Sequence, residues 1–183
     1  MKNTPEVIPL KRGIIILFGL FFLLTFISPL FLHPAAPLAL SAEEIAELRE
    51  KYPIQNKVDP FATFETPSLA EAAQEHGLLC VETIRYHHLG TYGARVIADS
   101  KNRIAPGEEI DLKLKLFGFL PSLEVGTQIL VPAVENRHGI WEAHSFLLHY
   151  VTEDGYILSV RTDLYSDPTY NGYPLQSVWR ELT

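Results

Sequence analysis

Seven histidines are the residues of this sequence best suited to metal or acid–base chemistry. Their spacing argues against a shared site. His87 and His88 are adjacent, so on a strand they point to opposite faces. His144 and His149, five apart, do the same on a strand spanning 144–152. One arrangement is left, in which one histidine of each pair meets His138. It would make the chain a metal-dependent hydrolase. Neither a His-Glu-x-x-His motif nor a cysteine pair supports it. Nucleophile signatures are lacking too: there is no Gly-x-Ser-x-Gly and no Ser-x-x-Lys. The lone cysteine, Cys80, stands in the apolar run Leu78-Leu79-Cys80-Val81 and reads as a small buried hydrophobe. Asp163, Asp167 and Asn171 are spaced by four, not by the two-residue alternation of a calcium loop. The expectation is a chain with no catalytic residue, no metal and no cofactor.

Contact chemistry is better represented. Tyr165, Tyr170, Tyr173 and Trp179 alternate with small polar residues, a composition suited to adaptable contact surfaces. The competing expectation is that this tail straps across the domain and plugs an open end, its rings serving as packing. Phe117, Phe119 and Leu120 form a matching apolar patch.

The elements that position these residues begin with a membrane signal. Residues 13–32 run for 20 residues without a charge, the length a helix needs to cross a bilayer. Lys11 and Arg12 precede them, and no lysine or arginine follows until Arg49. The positive-inside rule places residues 1–12 in the cytoplasm and the rest outside. The length favours an uncleaved, single-pass anchor. The alternative is a secreted chain, cut near Ser41 and Ala42. From residue 43 onward there are 21 acids and 12 bases, so nucleic acid is not an expected partner.

Residues 33–65 read as a spacer with one short helix, capped by Ser41 with Glu44 and stopped by Pro53. The exported domain spans 66–183. A second helix should start with Thr66 as cap and Pro67 in its first turn, bury Leu69, Ala72 and Ala73, and stop at Gly77. About six strands follow. Residues 109–116 alternate cleanly, and 144–152 with 156–161 form a hairpin around Glu153-Asp154-Gly155. Residues 174–182 suggest a last helix. The pattern predicts a mainly β fold, a small antiparallel Greek-key barrel with short flanking helices.

The helix Ser68–Ala73, the strands at Leu79–Glu82 and Ala94–Ala98, the turn Pro106-Gly107-Glu108-Glu109-Ile110 and the approach Leu123-Glu124-Val125-Gly126 carry a resemblance. Together with the Asp154-Gly155-Tyr156 hairpin, residues 68–162 resemble small OB-like β-barrel domains of exported or membrane-anchored bacterial proteins. The resemblance implies a five-stranded barrel and transfers no catalytic residue. OB-like barrels bind along their second and third strands, here about 91–99 and 108–116, where Arg95, Lys113 and Lys115 form a small basic strip. The functional expectation is a non-enzymatic module of the cell envelope that binds another envelope protein or a cell-wall polymer. A structural subunit is the further alternative, docking through an open face at Ile45 and Leu48.

Overall fold

The computed structural model describes residues 38–55, 66–115, 121–162 and 166–183. The apolar run 13–32, Phe61, Phe64, Phe117, Phe119, Leu120, Asp163 and Tyr165 lie outside them, as does the side chain of Lys115. Among the described residues no helix is long and apolar enough to cross a membrane.

Five strands close into a barrel. They are β1 (Leu78–His88), β2 (Thr91–Asp99), β3 (Glu109–Lys115), β4 (Gln128–Glu135) and β5 (Trp141–His144). Neighbours run β1-β2-β3-β5-β4, and β4 pairs back onto β1. The β3–β5 pair is parallel and the other four are antiparallel. This strand order is compatible with an OB-like fold. Closure satisfies strand edges that would otherwise stay open. A hairpin of β6 (His149–Val151) and β7 (Ile157–Ser159) extends the sheet beyond β4. The stretch 144–152 is therefore not one strand. A 3-10 turn at Ser145–Leu147 separates β5 from β6, so one segment serves both the barrel and its extension. His144 and His149 accordingly belong to different strands.

Two cores explain the sequence texture. Leu79 and Val81 of β1 face the barrel interior with Ile129, Val131 and Ala133 of β4. Their neighbours Leu78, Cys80 and Leu130 face outward and are equally buried. Strands buried on both faces read as continuous apolar runs, as Leu78-Leu79-Cys80-Val81 and Ile129-Leu130-Val131 do. Burial pushes the Cys80 thiol up to about 12, so it stays protonated and inert. The outer core is roofed by helix α2 (Leu69–His76) and helix α3 (Leu175–Leu182), with Tyr170 between them.

Helix α2 starts two residues later than its sequence suggests. Ser68 is the cap, with both arms of a capping box to Glu71 in place. The Asp167 carboxylate accepts the Leu69 N–H at 2.7 Å. Pro67 therefore stays outside the helix. Helix α1 (Ala42–Leu48) has the expected Ser41–Glu44 box. It is no free spacer: Leu40, Ile45 and Leu48 pack on the barrel core, and Tyr52 enters it. The open face at Ile45 and Leu48 is thus closed within the chain.

The turn after β2 ties these layers together. Asp99 is buried, and accepts the backbone N–H groups of Lys101, Arg103 and Ile104 as well as the Arg103 guanidinium at 2.8 Å. Burial alone would raise the Asp99 carboxyl, but the bonds from Arg103 and from the backbone outweigh it and hold it below the usual carboxylate range. Arg103 also donates to His76 O at the end of α2 and to Ala133 O of β4, and stacks 4.6 Å over the Trp141 ring of β5. Lys101 Nζ donates to Gln74 O and Glu75 O. The basic triplet 101–103 thus caps a helix. Gly77 makes room for it, since a Cβ there would stand 2.9 Å from Lys101 Cγ.

Two outcomes follow from this framework. Arg103→Lys keeps the charge but loses the fork and the stacking, so it should destabilise by about 2–3 kcal/mol in urea unfolding. A loss below roughly 0.5 kcal/mol would show that the hub carries no weight. The β1–β2 hairpin turns at Leu89 (φ 45°) and Gly90 (φ 74°). Two successive left-handed residues make the turn type in which Asn-Gly is preferred and leucine is strained. Leu89→Asn should therefore stabilise the protein by about 1 kcal/mol, seen as a higher urea midpoint.

Candidate functional site

The outer face of β2, β3 and the later half of β1, from Glu82 onward, is the side that the helices leave open. On β2, Ala94 and Val96 point into the barrel while Arg95 and Ile97 point out. On β3, Leu112 and Leu114 point in while Asp111 and Lys113 point out. The register sets Arg95 beside Glu82 and Glu109, Gly93 beside Arg85 and Asp111, and Thr91 beside Lys113. Charges of opposite sign are therefore neighbours by construction.

They pair. Arg95 reaches Glu82 at 3.3 Å, Arg85 reaches Glu109 at 3.0 Å, and His87 Nε2 lies 3.2 Å from Asp111. The Arg85 side chain crosses β2 over Gly93, where an added Cβ would meet it at 2.6 Å. Glycine at that position is what lets the guanidinium reach β3. Arg95 and Lys113 thus sit in a lattice of alternating charge rather than a basic strip. Lys115 pairs by its backbone with His144. At the end of this face lies a groove of about 430 Å³, bounded by Arg103 and Trp141 on one side and Glu108 and Glu135 at the rim.

The aromatic tail goes elsewhere. Tyr170 is buried in the outer core and its hydroxyl donates to Glu181 at 2.9 Å. Tyr173 stands edge-on to it with ring centroids 6.1 Å apart, and stays 42 % exposed. Trp179 is half-buried against the same core. The tail borders β7: Gly172 N bonds Ile157 O, Ile157 N bonds Tyr173 O, and Asn171 Oδ1 receives Ser159 N and Arg49. The structure brings Tyr170, Tyr173 and Trp179 together. Arg95 and Lys113 belong to a separate surface.

The histidines are dispersed. Among the described residues no three His, Cys, Asp or Glu side chains converge as a metal-binding group. His149 is the unusual one. It is buried on β6, where Nδ1–H donates to Leu147 O at 3.0 Å, and Nε2 has no hydrogen-bond partner among the described residues. Nothing in the sequence pattern signals this, because a histidine between Leu148 and Tyr150 looks like any strand residue.

Burial first of all lowers the His149 pKa, against weaker support from Leu147 O and Asp167. The imidazole is neutral in the fold and protonates more readily once unfolded. Its contribution is present in full above pH 6.5 and falls as the pH drops from there towards the lowered folded value. The melting temperature should therefore decline between pH 7 and pH 5. His149→Asn, which keeps a donor for Leu147 O but cannot titrate, should melt lower with a flatter profile over that range. An unchanged slope in the variant would mean that His149 is not the titrating group.

Comparison of the chain with family models, with curated proteins and with solved structures finds no match, so the barrel and its surfaces carry the functional argument alone.

Proposed function

We propose that the chain is a non-enzymatic, membrane-anchored binding module outside the cytoplasm, one that docks a protein partner along the outer face of β1–β3. The apolar run 13–32 behind Lys11 and Arg12 supports the anchor and its orientation. The likeness of 68–162 to OB-like domains of exported bacterial proteins supports an envelope setting, and such barrels bind along this face. That part is fold analogy.

The observation that carries the reading is the charge lattice at fixed register. Helices and tail cover the β4–β6–β7 side, whereas Arg85, Arg95, Glu109, Asp111 and Lys113 are exposed, and Glu82 half-buried, at positions fixed by the sheet. Alternating charges cancel at long range, so a phosphate polymer gains little from them. At short range they demand a complementary array, which a protein surface supplies and which fixes its docking register.

The test is site-specific photo-crosslinking of the full-length chain in membranes of its own host. A probe at position 95 or 113 should give the same adduct. Reversing Arg85 and Arg95 to glutamate should cut the yield from position 113 by about tenfold, as misaligned charges slow encounter. A probe at Gln74 on α2 serves as the control. Equal adducts from position 74, or none from 95 and 113, would defeat the reading.

A further inference from the structure

A second cleft, of about 490 Å³, is lined by none of the paired charges of the β1–β3 face. Its floor is built by Tyr52 and Tyr150, 8 % and 4 % exposed, with ring centroids 5.6 Å apart. Its wall is Gln55, and its rim carries Lys51, Glu124 and Glu153.

The hydrogen bonds of the two phenols leave each with a spare donor. The Gln55 carboxamide is locked on Ser122: Oε1 accepts Ser122 N at 2.8 Å and Nε2 donates to Ser122 O at 2.9 Å. A flip would set oxygen against oxygen, so Nε2 is also what meets the Tyr150 hydroxyl at 2.6 Å. Tyr150 is therefore the acceptor. Tyr52 is likewise an acceptor, from Glu153 N at 3.2 Å. Neither hydroxyl hydrogen has an acceptor among the described residues. The other buried phenols differ. Tyr92 accepts from Leu123 N and donates to Pro121 O, and Tyr170 donates to Glu181. Burial leads the effects that raise the Tyr150 phenol above its usual range, so it is a neutral donor at physiological pH.

From this geometry we infer a binding site for a neutral polyhydroxylated ligand of the saccharide class. Two buried O–H donors await acceptor oxygens. Glu124 at the rim accepts from ligand hydroxyls and disfavours an anion. Lys51 is already held by Glu153 at 2.8 Å and adds no unbalanced positive charge. A sugar hydroxyl both accepts and donates, so one ligand type answers floor and rim together. The site shares no lining residue with the charge lattice of the β1–β3 face.

The experiment is saturation-transfer NMR on the full chain in lipid nanodiscs free of glycosidic detergent. The probes are maltotetraose and the N-acetylglucosamine tetramer, at millimolar concentration. Transfer from at least one is expected, and the choice between them separates hydroxyl from acetamido recognition. Tyr150→Phe and Tyr52→Phe keep the rings and should each weaken binding by roughly three- to tenfold, the worth of one hydrogen bond. Gln74→Ala on α2, which does not line the cleft, should leave it unchanged. Absence of transfer from both probes, or equal binding by the two phenylalanine variants, overturns the site. Either result leaves the crosslinking prediction standing or falling by itself.

Discussion

The carboxylate of Asp99 is the point at which the layers of this domain are fastened. A buried charge is costly, and a carboxylate stripped of water persists only when its lone pairs are filled. Here three backbone N–H groups and a guanidinium fill them. The same guanidinium reaches α2, β4 and the Trp141 ring, so β2, the roof helix and β5 are oriented by one planar group. Asn102 adopts a left-handed φ of 52°, which an asparagine tolerates better than most residues, and that conformation turns Arg103 back toward Asp99. The hub adds direction to a fold whose bulk stability comes from nondirectional burial. It also explains why α2 ends at Gly77, where Lys101 and Arg103 take over its last carbonyls.

Given that fastening, the chain divides its two surfaces. Strands β1 and β4 are apolar on both faces and must be covered twice, once by the barrel and once by α2, α3 and Tyr170. Strands β2 and β3 are apolar on one face, so nothing is required to cover the other. The tail is thereby committed to roofing the outer core and guarding the β7 edge. The pairing of every barrel strand on both sides leaves recognition to side chains rather than to backbone edges. On β1–β3 those side chains are charges whose spacing is fixed by the ladder. The second cleft presents two phenols, Tyr150 held by the locked Gln55 carboxamide and Tyr52 by the Glu153 N–H.

Much of this was legible in the sequence where the signal was local. The Ser41–Glu44 box, the buried face of α2, the alternation of 109–115, the 153–155 hairpin turn and the final helix are all set by neighbours a few residues apart. What was not legible depended on distant partners. Thr66 and Ser68 are equally good caps, and only the Asp167 carboxylate on Leu69 N decides between them. The break at Ser145–Leu147 hides inside an apolar run, because leaving β5 for β6 changes the strand but not the burial. Helix α1 read as a spacer since its stripe is short, yet that stripe is completed by Leu40 and Tyr52 against the barrel. The bonds from Lys101 and Arg103 to the last carbonyls of α2 have backbone acceptors, which no side-chain pattern reveals. Arg95 and Lys113 looked like a basic strip because Glu82 and Glu109 come alongside Arg95, and Glu142 alongside Lys113, only through strand pairing.

The strain at Leu89 bears on how these surfaces were selected. A left-handed leucine at an exposed turn costs about 1 kcal/mol or more, and the preferred residue there is a single substitution away. Proteins sit a modest margin above the stability they need, so a cost of that size persists wherever stability is not limiting. Here β1 and β2 pair along their length and the Asp99 hub closes their far end, so the strain stays local to the turn. The tolerance of the hairpin tip and the rigidity of the charged face thus have one source. Both rest on strands held at the opposite end by the Asp99 hub.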